Sequence, residues 1–161
     1  MKILQMTSKL FLILVAMSIQ ISAFAQIAEK INKEAQKQTA YSIKLCKHLH
    51  QNPELSFQEF ETAKRMATEL KNAGFEVTSN FGGNSVVGVF KNGEGPVIML
   101  RTDMDALPIE EKTDFEFASI KIAETLDGDE VAVMHACGHD IHMSTWTGTV
   151  RTLVALKNEW R

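Results

Sequence analysis

Apolar residues recur at helical spacing through the first half of the chain and collapse into short runs in the second. From Ile27 to about His50, Ile27, Ile31, Ala35, Ile43 and Leu45 stand in a polar, lysine-rich background, and Asn52-Pro53 ends the predicted helix. A second helix is predicted from about Ser56 to Asn72. Phe57, Phe60, Ala63, Met66, Ala67 and Leu70 make one apolar face there. Ser56 and Glu59 have the spacing of a capping box, and Gly74 fits the left-handed position just past the end.

The pattern then changes period. Phe75 to Ser79 alternates weakly, Asn84 to Phe90 is rich in valine, and Lys91 to Gly95 reads as a tight turn between strands. Pro96 to Thr102, with Val97, Ile98, Met99 and Leu100, has the composition of a strand buried on both faces. Val131 to Met134 is a shorter strand of the same kind. From Ile141 on, Trp146, Val150, Leu153 and Val154 predict a helix over about 143–161. Strands between helices imply an α/β layer architecture.

The N-terminus adds a separate signal. Lys2 and Lys9 precede an apolar core from Leu10 to Ile21, and Ala23-Phe24-Ala25 supplies a small-x-small cleavage site before Gln26. The expectation is a cleaved signal peptide over 1–25 and an exported, periplasmic or secreted protein. The apolar stretch is shorter than the roughly 20 residues of a spanning helix, so no stable membrane anchor is expected. Cleavage would remove Lys2 and Lys9, moving the net charge from -3 to -5. A mildly acidic chain without a basic stripe makes nucleic acid an unsuitable partner. Residues 26–161 suffice for one modest domain, yet the last helix reaches Arg161 without a stop residue, which predicts a truncated domain.

The candidate chemistry is concentrated in His135-Ala136-Cys137-Gly138-His139-Asp140-Ile141-His142. Cys137 and His139 lie two apart, so on a turning backbone both can point at one ion, and Gly138 lets the chain approach it closely. Thiolate plus imidazole suits zinc or a similar transition metal, but two ligands do not complete a site. A Cys46–Cys137 disulfide in an exported binding module is the competing use of the thiol, and a Cys/His protease is a rival on residue types. Arg101 to Pro108, at the end of the predicted core strand, is a second site candidate. Glu110, Glu111 and the acids of Asp127 to Glu130 read as solvated loop.

Three ordered blocks carry a resemblance: Leu49 to Ser56 with Glu59, Leu100 to Ile109, and Met134 to Asp140 with His142. Together, over about residues 41–160, they resemble the dimetal amidohydrolases that include hippurate hydrolase, N-acyl-amino-acid amidohydrolase and indole-acetyl-amino-acid hydrolase. This is the aminoacylase/carboxypeptidase-like group. The resemblance implies a partial three-layer metallopeptidase-like catalytic domain, with a central mixed sheet flanked by helices and without the lid domain. It implies two divalent ions per complete site, Zn or Mn, with Cys137 and His139 as ligands and Asp105 orienting a ligand from behind. His135 and His142 belong to the motif without being ligands, and Ile141 stands where members commonly carry glycine. The implied reaction is hydrolysis of N-acyl amino acids, or of dipeptides and C-terminal peptide bonds, by a metal-activated water. The implied partner is a small N-acyl amino acid or short peptide, with a homodimer possible at full length. Members continue past position 161 with a Glu-Glu pair, further histidine ligands and the lid, so this chain alone is expected to be inactive.

Overall fold

The computed structural model describes the backbone from Lys2 to Arg161 and side chains from Phe24 onward. Helix α1 spans Lys2–Gln51, α2 spans Phe60–Asn72 and α3 spans His139–Ala155. Two hairpins lie between α2 and α3: β1 (Glu76–Ser79) with β2 (Val86–Val89), and β3 (Ile122–Glu124) with β4 (Glu130–Ala132). The side chains of the predicted signal segment before Phe24 lie outside the described residues, and the backbone of α1 runs through it. Among the described residues no helix is long and apolar enough to cross a membrane.

The α/β character matches the reading of the sequence, and the helices follow their periodicity most closely. Ala63, Met66, Ala67 and Leu70 are buried on one face of α2, and Gly74 takes φ +88° beyond its end. The start of α2 differs. It begins four residues later than predicted, and neither Ser56 nor Glu59 caps it through a side chain. Glu54 does so instead, its carboxylate accepting from the amides of Glu61 at 3.1 Å and Thr62 at 2.7 Å. An acid there meets both the unpaired amides and the positive end of the helix dipole. Phe57 and Phe60 consequently fall outside the buried face and are exposed.

Leu45 and Leu49 of α1, Met66 of α2 and Met143 of α3 form the larger core cluster. A second cluster of Leu55, Ala106 and Val133 ties together the loops around the site. Hairpin β1–β2 pairs antiparallel from Glu76 with Val89 to Ser79 with Val86. It seats on α2 through Gly88, where a Cβ would lie 2.9 Å from a Leu70 methyl carbon. Hairpin β3–β4 pairs antiparallel from Ile122 with Ala132 to Glu124 with Glu130.

The central mixed sheet is present only as two single-residue bridges, parallel between Leu55 and Ala106 and antiparallel between Leu107 and Met134. The predicted core strand at 96–102 does not form. Val97 is 100 % exposed and Ile98 78 %. A strand apolar on both faces needs paired edges and a layer above and below it. Among the described residues nothing pairs with this one. At the other end, α3 starts at His139 and stops at Ala155, followed by one 3-10 turn over Lys157–Glu159, so the single helix predicted to Arg161 is broken. Its buried face carries Ser144, Thr147 and Thr152, whose hydroxyls donate to the carbonyls four residues back. That pairing removes the cost of burying them.

Candidate metal centre

Beyond β4 the chain passes through buried Val133 to Met134, which Leu107 grips by two 3.0 Å backbone hydrogen bonds. The turn Cys137-Gly138-His139 follows, and α3 begins on its last residue. Gly138 has φ +76° at the N-cap, a left-handed conformation that costs residues with a Cβ. A Cβ there would meet nothing within 4 Å. The glycine is therefore required by the turn's handedness, and no protein atom crowds it.

The two predicted ligands lie on this one turn with different exposures. Cys137 is exposed and its thiol is free. His139 is largely buried, and its Nδ1 lies 2.8 Å from the backbone carbonyl of Asp105 and 3.1 Å from Asp105 Oδ1. Both acceptors require a proton on Nδ1, which leaves Nε2 as the nitrogen available to a metal. Asp105 thus meets His139 through both its backbone carbonyl and its carboxylate. Asp103 pairs with Arg101.

The donor set fits one half of a transition-metal site: a thiol at the surface and an imidazole with a fixed tautomer. Among the described residues no three His, Cys, Asp or Glu side chains gather closely enough to hold an ion by themselves. The alternative disulfide does not form. Cys46 is also free, with its Sγ 3.8 Å from Asp140 Oδ2.

Four residues complete the surroundings of the turn, and two of them, Ile141 and Glu111, differ from the sequence reading. His135 is buried, and neither ring nitrogen has a partner within the protein. Burial drives its pKa down to about 4 despite the nearby Asp140 carboxylate, so the ring is neutral at pH 7. His142 is exposed, with its ring centroid 5.7 Å from that of His139. Ile141 is also exposed and fills no space under the turn. Glu111, read as a solvated loop acid, has a fully buried carboxylate bonded to His50. Burial raises its pKa, but hydrogen bonds from Thr113, His50 and the Ser119 amide outweigh this and hold it low.

His50, near the end of α1, is the other contact that sequence reasoning missed. Its Nδ1 is 2.7 Å from Asp140 Oδ2 and its Nε2 is 3.0 Å from Glu111 Oε1. Burial lowers its pKa, yet the two carboxylates raise it more, and the net shift is upward. The only advance sign was that His50 and Asp140 both belong to the quoted sequence blocks.

Comparison with known proteins places this geometry in a family. Residues 99–161 match peptidase family M20/M25/M40. Thermostable carboxypeptidase 2 of Saccharolobus solfataricus is 38 % identical over 134 residues, which cover 82 % of this chain and 32 % of that protein. Hippurate hydrolase of Campylobacter jejuni is 45 % identical over 103 residues, covering 63 % of this chain and 24 % of the relative. A crystal structure from Bacillus subtilis, described as a dinuclear metal binding peptidase of the M20 family, superposes with a TM-score of 0.65 at 35 % identity. That match covers 77 % of this chain and 33 % of the other. The chain thus spans at most about a third of the length of these relatives. On sequence and on fold alike, it belongs to peptidase family M20/M25/M40.

Proposed function

We propose that this chain contributes one thiolate and one imidazole ligand, Cys137 and His139, to a dimetal hydrolase of N-acyl amino acids. The observation that carries the reading is the pairing of His139 Nδ1 with Asp105, beside the free thiol of Cys137. Such a partner fixes tautomer and ring orientation and raises the basicity of the other nitrogen. When bound, a divalent transition metal, zinc or manganese, would supply Lewis acidity toward the scissile carbonyl and activate water. The protein's own part is to hold Cys137 and His139 on one turn and to keep Asp105 against the imidazole.

A second reading, a carboxypeptidase acting on short peptides, is favoured by the similarity to thermostable carboxypeptidase 2. Release of an amino acid from an N-acyl substrate, against release of a C-terminal residue from a peptide, separates the two. We also propose that the protein is exported, on the basis of Lys2, Lys9, the apolar core and Ala23-Phe24-Ala25. The mature N-terminus is then expected near Gln26, and mass spectrometry of the exported protein showing an intact Met1 would refute this.

The metal reading is tested by titrating the chain with cobalt(II) chloride. A thiolate-to-cobalt charge-transfer band is expected for the native chain and is expected to vanish in C137S. H139A should weaken cobalt binding by more than about 100-fold, beyond the usual loss for removing a partner behind a ligand. A native chain that takes up cobalt without a thiolate band, or a C137S variant that keeps the band, would sink the assignment.

A further inference from the structure

We propose that His50 is a positioning residue: it holds the Cys137-Gly138-His139 turn in ligand geometry by tying both ends of that turn to α1. The inference rests on the metal reading given above and adds a residue from a distant part of the chain. The downstream tie is direct. His50 Nδ1 meets Asp140 Oδ2 at 2.7 Å, and Asp140 is a buried residue in the first turn of α3, immediately after His139. The upstream tie runs through two residues. His50 Nε2 meets Glu111 Oε1 at 3.0 Å, and Glu111 Oε2 accepts from the Ser119 amide at 2.5 Å. The Ser119 hydroxyl then donates at 2.7 Å to the carbonyl of Val133, which leads into the turn from β4.

The chemistry of this relay leaves little freedom. Each ring nitrogen faces a carboxylate oxygen, so the ring's orientation is held between two carboxylates on different elements. Phe115 and Phe117 close on the ring edge-on, with centroids 6.4 and 5.5 Å away, and restrict its tilt. His50 itself is buried. The relay adds to the link that the Asp105–Leu107 segment makes between Met134 and His139, and it braces a turn whose left-handed glycine contributes little stiffness. A ligand pair two residues apart needs that stiffness, because small displacements of either donor weaken coordination.

The experiment uses the full 161-residue chain, cobalt(II) chloride as probe, and the variants H50F, S119A and C137S. H50F keeps a flat ring but breaks both ties, whereas S119A cuts only the upstream tie. A folded H50F chain is expected to bind cobalt about 10–100-fold more weakly and to show an altered thiolate-to-cobalt band at saturation. S119A is expected to shift affinity in the same direction by less. A purely structural role would lower the melting temperature and leave the affinity and saturated spectrum unchanged, and that result overturns the proposal. Should H50F fail to fold, S119A decides: native affinity and spectrum in that variant overturn it. Loss of the band in C137S together with unchanged H50F refutes the clamp alone. A band that persists in C137S refutes the metal reading and the clamp with it.

Discussion

Truncating Met143 to alanine is expected to lower the free energy of unfolding by about 2–5 kcal/mol, the range for removing a large buried apolar side chain. Met143 is completely buried and meets Leu45 and Leu49 of α1 and Met66 of α2, so its side chain joins all three helices. Two costs add: the lost transfer of the thioether chain out of water, and the cavity left among side chains held by three separate helices. Met66 and the half-buried Met104 are flexible enough to fill part of that space, which places the expected value toward the lower end. Replacement by leucine, close in volume, should cost less than about 1.5 kcal/mol. Urea unfolding of the two variants measures both effects. An alanine variant within about 0.5 kcal/mol of the native chain would mean that the three helices do not share this core. For a domain of this size the loss is a large fraction of the total, since small domains are stable by only about 5–15 kcal/mol.

A second large effect is expected on acidification. His135 has a folded pKa of about 4 against an ordinary value of 6.5, because burial disfavours its charged form. The unfolded chain therefore takes up the proton first, and stability falls as pH drops from 6.5 toward 4. A difference of that size corresponds to about 3 kcal/mol. His50 has the opposite sign. Its raised pKa contributes stability that is fully present below 6.5 and is lost as pH rises through the folded value. Glu111, held below 4.5, contributes stability above that value and loses it only at more acid pH. Neither group therefore changes its contribution in the direction needed to explain a loss between 6.5 and 4.5. His48, lowered by burial and then by the Arg65 charge, does act in the same direction. The control is accordingly H135Q, which should unfold in urea with much less dependence on pH across this window. An equal pH dependence in H135Q and the native chain would assign the acid sensitivity elsewhere.

What could be read from the sequence follows the range over which each interaction acts. Ala63, Met66, Ala67 and Leu70 repeat at a spacing that only a helix satisfies, so α2 was legible from one short window. Its first turn was not, because the capping carboxylate of Glu54 lies outside that window and competes with a local capping-box pattern that looks equally good. The run from Val97 to Leu100 has strand composition, but burial of a strand depends on neighbours that composition does not supply. The site divides in the same way. Cys137, Gly138 and His139 are adjacent, and their chemistry is visible as a motif. Asp105 is 34 residues from His139, and its place behind the imidazole came from the family resemblance, not from spacing. His50 reaches Asp140 across 90 residues and Glu111 across 61, and no local pattern encodes either contact. Glu111 shows the error most clearly: an acid in a polar loop reads as solvated unless its partner is known.

The bare stretch from Val97 to Leu100 stays open along its length. Its amides and carbonyls take no backbone partner among the described residues, so it presents both oily side chains and vacant hydrogen-bonding groups along one line. A line of that kind is a template on which a foreign strand can zip. Pro96, which has no amide hydrogen, and the charged Arg101 bracket it, which limits any such pairing to about four residues.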